Sequence, residues 1–158
     1  MRIGHGYDVH AMELGKDLVL CGVKVKHDYG LKAHSDGDVA IHALCDALLG
    51  AAGLGDIGSH FPDTLSVNKN RDSCEFLTLI LEMLSIKNYS ISNLDITIVA
   101  ENPKLLNYID SMRKKLSEVL LLDVDRVNVK ATTTEKLGFE GKEEGIAAHA
   151  VVLLYENT

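Results

Sequence analysis

The stretch GHGYDVH, residues 4–10, carries an aspartate and two histidines between glycines near the start of the chain. Asp8 and His10 are two positions apart, so their side chains point to the same side of an extended strand. A carboxylate oxygen and an imidazole nitrogen that face the same way form half of a site for a divalent metal ion. The chemistry of this stretch therefore depends on whether another part of the chain supplies the remaining ligands.

His42 is the strongest candidate for a third ligand, because it lies in an alanine- and leucine-rich stretch that predicts a helix. A single histidine there is more often a core residue whose ring nitrogens bond to backbone. Together with Asp8 and His10, however, it completes a set of one carboxylate and two imidazoles. Three protein ligands with an open fourth position are typical of catalytic zinc. Asp46, one turn later, is either a hydrogen-bond acceptor for His42 or a solvated charge.

Two further stretches carry residue types that bind phosphate. AHSDGD places His34 and Ser35 at the predicted start of the helix that holds His42. The free N–H groups of a helix N-terminus suit a phosphate, although capping by Ser35 explains the serine equally well. ATTTEK, residues 131–136, joins three threonines to Glu135 at a strand end, where hydroxyls and backbone N–H groups can surround a phosphate. Glu135 is then a ligand for Mg²⁺, or a solvated charge after an edge strand.

Three weaker candidates complete the set of chemically interesting residues. The glycine-rich turn GDIGSHFPD, residues 55–63, carries two aspartates whose carboxylates suit the hydroxyls of a ribose or polyol. Cys45 lies three residues after His42, but a small buried side chain on the inner face of the helix is its better interpretation. His5 is assigned no role.

Hydrophobic periodicity predicts the elements that position these residues. Strands are expected over residues 1–10, 18–26, 94–100, 126–132 and 146–155. Helices are expected from Ser35 as N-cap to about Gly50, over 72–88, and over 102–122 with Asn102 as N-cap and Pro103 at the first position. The last strand is apolar enough to be buried on both faces. The order predicts an α+β two-layer sandwich, a small mixed β-sheet with helices packed on one face.

Composition limits the class of protein. A chain of 158 residues with 46% hydrophobic residues favours one domain, residues 1–158, with its own core. The net charge of −7 argues against a nucleic-acid binder, and the apolar runs are too short for a membrane span. No basic segment leads into an apolar one at the N-terminus, so no secretion signal is expected. Three cysteines without C-x-x-C spacing fit a reducing cytoplasm. A plastid origin stays open if a transit peptide was removed from a precursor.

Four stretches in order along the chain carry a family resemblance. They are MRIGHGYDVH, LKAHSDGDVAIHALCDALLGAAGLGDIGSHFPDT, DITIVAENPKLL and VNVKATTTEKLGFEGKEEGIAAHAV. With these stretches the chain resembles the 2-C-methyl-D-erythritol 2,4-cyclodiphosphate synthase family of the non-mevalonate isoprenoid pathway, from its first residue almost to its last.

The resemblance implies a reaction and its metal ions. In the family, the 2-phosphate of 4-diphosphocytidyl-2-C-methyl-D-erythritol 2-phosphate attacks its own β-phosphorus, and CMP leaves as the cyclic diphosphate forms. The protein then needs no nucleophile of its own. By the same resemblance Asp8, His10 and His42 are zinc ligands, and Glu135 holds a Mg²⁺ or Mn²⁺ ion that bridges the substrate phosphates.

The resemblance also implies how the substrate is held. The positions that hold phosphates near the transition state are matched by His34, Ser35 and Thr133. The ribose-binding loop is matched by Asp56 and Gly58, and the surroundings of the methylerythritol phosphate by Ile57, Phe61 and Asp63. The cytosine pocket is matched by Ala100, Lys104, Leu105, Leu106, Ala131 and Thr132.

The family is a homotrimer with each active site between two subunits. The apolar last strand is then buried around a shared axis, or it is ordinary monomer core. Phe139 matches a residue that lines a central cavity able to hold isoprenoid diphosphates. Lys142, where the family often has arginine, lacks the bidentate fork for a diphosphate, and two glutamates follow it. We therefore expect poorer diphosphate binding in that cavity and unimpaired catalysis.

The three proposed ligands also fit two other classes of protein. A zinc phosphohydrolase would use a metal-activated water as nucleophile on a phosphoester. A trimeric ligand-binding module would hold a structural metal with a fourth protein ligand, for which Cys45 and His5 are the candidates. The attacking group distinguishes the phosphohydrolase, which uses water, from a cyclase, which uses the substrate's own phosphate. The number of protein ligands on the metal distinguishes the ligand-binding module.

Overall fold

A five-stranded mixed sheet with helices on one face forms the described part of the chain, residues 1–62 and 71–157, in this computed structural model. The strands are β1 (Arg2–Leu14), β2 (Leu18–Leu20), β3 (Val23–Val25), β4 (Tyr29–Leu31), β5 (Tyr89–Val99), β6 (Val127–Thr132) and β7 (Gly145–Glu156). The helices are α1 (Val39–Ala52), α2 (Ile57–His60), α3 (Ser73–Ile86), α4 (Ile109–Leu120) and α5 (Gly138–Gly141).

The sheet has the strand order β4-β1-β7-β5-β6, and β2 and β3 form a separate hairpin. Strands β5 and β6 run parallel, whereas the other neighbouring pairs of the sheet are antiparallel. The largest fully buried side chains come from α1, α3, β2 and β5, so the core lies between the helical layer and one face of the sheet. The predicted two-layer α+β sandwich is confirmed. Among the described residues, no helix is long and apolar enough to cross a bilayer.

Helix α1 lies directly on the backbone of β1, and two glycines make this approach possible. A Cβ atom at Gly4 would lie 1.9 Å from the carbonyl oxygen of Ala47, and one at Gly6 would lie 1.9 Å from that of Ala43. Alternate residues of a strand share a face, so Asp8 and His10 continue the face that these glycines present to α1. The glycines of GHGYDVH therefore bring the helix that carries His42 against the strand that carries Asp8 and His10.

The N-cap of α1 is Asp38, so the prediction of Ser35 at this position is wrong. The buried carboxylate of Asp38 accepts the backbone N–H of Ile41 at 3.0 Å. It also accepts the N–H of Cys21 at 3.0 Å and of Gly22 at 2.6 Å, which ties the β2–β3 turn to the helix. A carboxylate with two oxygens can satisfy both the helix end and the turn, which the single hydroxyl of Ser35 cannot.

Other predicted element boundaries are also wrong: β1 continues to Leu14, and β5 begins at Tyr89, five residues before the predicted start. The expected strand over 18–26 is interrupted by a turn at Cys21 and Gly22, both with positive φ, because the chain folds back as a tight hairpin. The third long helix begins at Ile109, after a 3₁₀ turn, and not at Pro103. The Asn102–Pro103 peptide bond is cis, and the side chain of Asn102 donates to a carboxylate oxygen of Glu143 at 2.7 Å, so it does not cap a helix.

The last strand, β7, is buried on both faces only over its first residues, Gly145–Ala148. Beyond them the strand alternates: Ala150 is buried, whereas His149 and Val151 are exposed. The prediction that β7 is buried on both faces is therefore wrong within a single chain. The uncovered face of the sheet, which we call the outer face, also carries Ile3 and Tyr7 of β1, which are 74% and 46% exposed.

Candidate functional site

Asp8, His10 and His42 meet at the open end of the contact between β1 and α1. Oδ2 of Asp8 lies 3.0 Å from Nε2 of His10 and 3.3 Å from Nδ1 of His42. One potential ligand atom from each residue lies within 4.8 Å of the others, an arrangement that could hold a metal ion. Within residues 1–62 and 71–157, this is the one group of three or more such side chains with this geometry.

The ring of His10 is oriented by the loop that precedes α1. Nδ1 of His10 lies 2.9 Å from the carbonyl oxygen of Gly37, so Nδ1–H is the donor and Nε2 is left for Asp8 or a cation. Gly37 has a φ of 81°, and a Cβ atom there would lie 2.9 Å from the carbonyl oxygen of Leu31. Both the backbone conformation and the crowding require glycine, and this fixes the carbonyl that holds the imidazole.

The ring of His42 has its own polar partners on the side away from Asp8. Nε2 of His42 lies 3.1 Å from Oγ of Ser35 and 3.1 Å from Oγ of Ser73. Nδ1 is therefore the nitrogen that faces Asp8 Oδ2. Metal-ligating histidines are usually oriented in this way, with the second ring nitrogen in a hydrogen bond.

Asp46 has a role that neither sequence-based interpretation anticipated. Its Oδ1 accepts the backbone N–H of Ile57 at 2.7 Å, which attaches the first residue of α2 to α1. The side chain is half-buried and lines the same pocket as His42, so it is not a fully solvated charge. Asp46 thus positions the loop that forms one wall of the site.

Asp8 and His10 shift each other's ionisation. Burial opposes the charged form of Asp8, but its hydrogen bonds and charge attraction to His10 and His42 hold its pKa well below its usual range. Burial likewise opposes protonation of His10, yet the hydrogen bond and the negative charge of Asp8 raise the pKa of the imidazole. In the metal-free chain the carboxylate is therefore firmly ionised and draws positive charge to its neighbours.

A cavity of about 510 Å³, which we call the metal pocket, opens beside these three residues. The predicted substrate residues that line it are His34, Ser35, Ile57, Gly58 and Phe61. Asp56 lies outside its lining: it is the N-cap of α2, and its carboxylate accepts the N–H and the hydroxyl of Ser59. Asp63 lies outside the described residues.

A second cavity of about 450 Å³, which we call the base pocket, lies between the β5–α4 connection and the end of β6. It is lined by every residue that was predicted for cytosine binding, and by one predicted phosphate residue: Ala100, Lys104, Leu105, Leu106, Ala131, Thr132 and Thr133. Most of its lining residues are apolar, and two lysines, Lys104 and Lys130, also line it. The metal pocket and the base pocket share no lining residue.

The remaining predicted residues lie after β6. Glu135 is exposed, and its Oε1 accepts the hydroxyl of Thr133 at 3.4 Å. It is not part of the Asp8, His10 and His42 group. Phe139 and Lys142 lie within or directly after α5, and neither lines the metal pocket or the base pocket.

Ser73 and Gly37, which contact the two histidines, are among the site residues that sequence reasoning missed. Ser73 is fully buried and contacts His42 across 31 positions of sequence, and Gly37 contacts His10 across 27. The sequence signals at both positions concern the backbone alone: a helix start at Ser73 and a turn at Gly37. Neither signal identifies the histidine that the residue contacts.

Comparison with known proteins gives a consistent result. The sequence model of the YgbB family matches residues 1–155. A curated 2-C-methyl-D-erythritol 2,4-cyclodiphosphate synthase from Francisella tularensis subsp. novicida is 57% identical over 155 residues, which cover 98% of each chain. A relative of that name from Pseudomonas syringae pv. tomato is 58% identical over 154 residues, again 98% of each chain.

Solved structures agree with the sequence matches. The bifunctional IspDF from Campylobacter jejuni superposes with a TM-score of 0.95 at 46% identity, over 98% of this chain and 42% of that one. The CDP complex of IspF from Plasmodium falciparum superposes with a TM-score of 0.87 at 38% identity, over 99% and 97%. The chain belongs to the YgbB family, together with the 2-C-methyl-D-erythritol 2,4-cyclodiphosphate synthases that it matches over nearly its whole length.

Proposed function

We propose that the chain converts 4-diphosphocytidyl-2-C-methyl-D-erythritol 2-phosphate to 2-C-methyl-D-erythritol 2,4-cyclodiphosphate with release of CMP. An oxygen of the 2-phosphate forms a bond to the β-phosphorus, and the bond from the β-phosphorus to the bridging oxygen breaks, so that CMP leaves with that oxygen. The observation that carries the proposal is the group of Asp8, His10 and His42 beside the metal pocket, in a chain 57% identical to a curated synthase of this reaction.

We propose zinc as the ion at this group. One carboxylate oxygen and two imidazole nitrogens are typical ligands of catalytic zinc, whereas Mg²⁺ prefers oxygen ligands alone. Each imidazole already has a hydrogen-bond partner for its other nitrogen, as metal-bound histidines do. When bound, zinc would supply Lewis-acid stabilisation of charge on a β-phosphate oxygen and a fixed point for orienting the diphosphate.

The side chains of the metal pocket complete the binding of the charged groups. His34 and Ser35 line this pocket next to the proposed zinc ligands, where their N–H and O–H groups can donate to phosphate oxygens. Ile57, Gly58 and Phe61 give one wall that suits the carbon skeleton of the methylerythritol. We assign Asp56 to the ribose and Asp63 to the methylerythritol phosphate. Because the attacking group belongs to the substrate, the task of these residues is to fold the substrate for in-line attack.

The base pocket is proposed to hold the cytosine. A shallow surface of backbone and small side chains can recognise a base by backbone hydrogen bonds, which suits Ala100, Ala131 and Thr132. Thr133 lines the same pocket and contacts Glu135, so both can approach the diphosphate that joins the two halves of the substrate. Glu135 is proposed to bind Mg²⁺ or Mn²⁺, since an exposed carboxylate together with phosphate oxygens is a usual site for these ions.

A homotrimer with active sites between subunits is proposed as the functional assembly. The two pockets of one chain share no residue, so a neighbour's base pocket next to the metal pocket would complete a site for a bipartite substrate. The exposed apolar side chains of the outer face, such as Ile3, Tyr7 and Val151, would be buried around the axis. Phe139 and Lys142 are then proposed to line the central cavity, where Glu143 and Glu144 weaken any anion binding.

We propose a cytoplasmic location as well. All three cysteines of the chain are free thiols, and each is buried. Unpaired buried cysteines are typical of proteins from a reducing compartment.

The experiment that tests the proposed reaction is turnover of the cytidyl substrate in ¹⁸O-labelled water. An intramolecular attack gives CMP and a cyclic diphosphate, both without solvent label. A phosphohydrolase would place ¹⁸O in the product that does not contain cytidine, and this result would overturn the proposal. Binding of the substrate without any product would support a ligand-binding module instead.

A further inference from the structure

We propose that Ser73 and Asp36 are positioning residues that fix His42 as the Nε2–H tautomer and so direct the lone pair of its Nδ1 at the metal. This inference rests on the proposed function, because it assigns a role at the same metal site. It is carried by a chain of three buried or half-buried polar contacts that runs from the start of α3 to the imidazole.

The hydroxyl proton of Ser73 is committed to Asp36. Oγ of Ser73 lies 2.5 Å from Oδ1 of Asp36, and the backbone N–H of Ser73 donates to Oδ2 of the same carboxylate at 3.1 Å. A carboxylate only accepts hydrogen bonds, so the serine must be the donor in both contacts. Ser73 is fully buried, and its hydroxyl has no water to turn towards.

With its proton used, Ser73 can only accept a hydrogen bond from His42. Nε2 of His42 lies 3.1 Å from Ser73 Oγ, and this contact is favourable only when Nε2 carries the proton. In the zinc-free chain Oδ2 of Asp8, 3.3 Å from Nδ1, also attracts the ring proton. With a metal ion on Nδ1 that attraction would end, and the proton on Nε2 would be accepted by Ser73.

Ser35 is compatible with this arrangement. Its Oγ accepts the N–H of Gly37 at 3.2 Å and lies 3.1 Å from Nε2 of His42. If the single proton at Nε2 points to Ser73, or is shared between the two serines, Ser35 keeps its own hydroxyl proton. Ser35 lines the metal pocket, so this proton is available to a phosphate oxygen. The same set of hydrogen bonds therefore orients Nδ1 of His42 towards the metal position and leaves the hydroxyl proton of Ser35 for a phosphate oxygen.

The carboxylate of Asp36 is itself held in place. Oδ1 of Asp36 accepts the backbone N–H of Asp38, the N-cap of α1, at 3.1 Å, and the N–H of Asp36 donates to the carbonyl oxygen of Arg71 at 3.1 Å. Asp36 thus joins the loop before α1 to the residues before α3. The position of His42 relative to Asp8 depends on α3 through this connection.

The direct test is ¹⁵N NMR of the histidine rings in the zinc-loaded chain at about pH 8, above the usual imidazole pKa. We expect a protonated Nε2 and a metal-bound Nδ1 for His42 in the unmodified chain. In Ser73→Ala this preference should weaken, and zinc affinity, measured by chelator competition, should fall by about 10- to 100-fold. Ser85→Ala, the same substitution at an exposed position of α3, should change neither quantity.

Asp36→Asn separates proton placement from packing, because it keeps the shape of the side chain. If the NH₂ faces Ser73 Oγ, it frees the serine proton for Nε2 and opposes Nε2–H. If it lies on the other side, it faces the backbone N–H of Ser73 and disturbs the serine. In either orientation we expect weaker zinc binding. Zinc bound to Nε2 of His42 in the unmodified chain, or unaltered zinc affinity in both variants, would overturn the inference.

These outcomes are distinct from a failure of the proposed function. An unmodified chain that does not bind zinc would contradict the metal site itself, whatever its tautomer. A chain that binds zinc and cyclises the substrate, but holds the zinc through Nε2 of His42, would contradict only the roles of Ser73 and Asp36. The spectrum of the unmodified chain decides the tautomer even if both variants unfold.

Discussion

At the scale of single residues, the site is defined by what holds each proposed ligand. His10 is fixed by a carbonyl of the loop before α1, and His42 by two serines, so both rings present a nitrogen to Asp8. The grouping of the three proposed ligands was predictable because their residue types are rare in such a setting and Asp8 and His10 have strand spacing. Their supporting partners were not predictable, since each lies far away in sequence and is chosen by the fold.

Replacing His42 by alanine should remove zinc binding and turnover while the chain stays folded. The substitution deletes one of three ligands but leaves the contact of α1 with β1 intact. Zinc content, turnover and thermal unfolding of the purified variant check this expectation. His27→Ala is a suitable control, because this histidine bonds to Tyr29 away from both pockets and should keep full activity. Normal turnover in the His42 variant would remove this residue from the site.

Zinc affinity should fall as the pH is lowered through the raised pKa of His10. Binding requires a neutral His10 and an ionised Asp8. Since the pKa of His10 is raised above 6.5 and that of Asp8 is lowered, the loss should follow imidazole protonation and not the carboxylate, and it should begin above the ordinary pKa of histidine. Competition with a chelator between about pH 5 and pH 8 measures it. Constant affinity over this interval would contradict the pairing of Asp8 with His10.

The same pairing has the opposite effect on the stability of the zinc-free chain. Because the folded pKa of His10 is raised, the pair stabilises the fold fully below the unfolded pKa of the imidazole. This contribution is lost as the pH rises through the folded value. Acidification through the imidazole range therefore weakens zinc binding while it strengthens the Asp8–His10 pair.

At the scale of elements, the site depends on how closely α1 approaches β1. Gly4 and Gly6 leave room for the carbonyl groups of the helix, and the ligands follow on the same face of the strand. The sequence showed the glycines, but their purpose depends on a helix more than thirty residues away. The N-cap of α1 and the start of α4 were misplaced for a similar reason, since tertiary hydrogen bonds to Asp38 and Asn102 decide both boundaries.

Gly6→Ala should destabilise the fold and weaken zinc binding together. The new Cβ would lie 1.9 Å from the carbonyl oxygen of Ala43, so α1 must move away and carry His42 with it. We expect a loss of at least about 1–3 kcal/mol, as for overpacked cores. Denaturant unfolding and chelator competition measure the two effects.

Gly50→Ala is the matched control for this prediction. Nothing lies within 4 Å of a Cβ atom at Gly50, which is an exposed helical position. Because alanine is the better helix former, this variant should be equal to the unmodified chain or more stable by up to about 1 kcal/mol. Equal stability of the two variants would show that close approach of α1 to β1 does not constrain the site.

At the scale of the whole molecule, one chain presents two separate pockets and an outer face with exposed apolar side chains. The order of elements predicted the layered architecture. That residues 1–158 form a single domain stays a prediction, as does the trimer. A sequence cannot separate a strand buried in its own core from one buried by a neighbour, and β7 is fully buried over its first residues and exposed on one face beyond them.

Subunit complementation tests whether the active site is shared between chains. His42→Ala damages the metal pocket, and Ala100→Phe should block the base pocket, since Ala100 is a buried residue of its lining. Each variant alone should be inactive. When the two are coexpressed at equal levels, about a quarter of shared sites contain two intact halves, because each half is intact in half of the chains. Activity no higher than that of the separate variants would contradict a site between subunits.

The central claim is that Asp8, His10 and His42 hold one zinc ion and leave a position for an oxygen of the diphosphate. Crystals grown with zinc and CDP, measured across the zinc absorption edge, test it most directly. We predict one anomalous peak about 2.0–2.2 Å from Asp8 Oδ2, His10 Nε2 and His42 Nδ1, with a phosphate oxygen as fourth ligand. No zinc peak at these atoms, or a fourth ligand from the protein, would contradict the account.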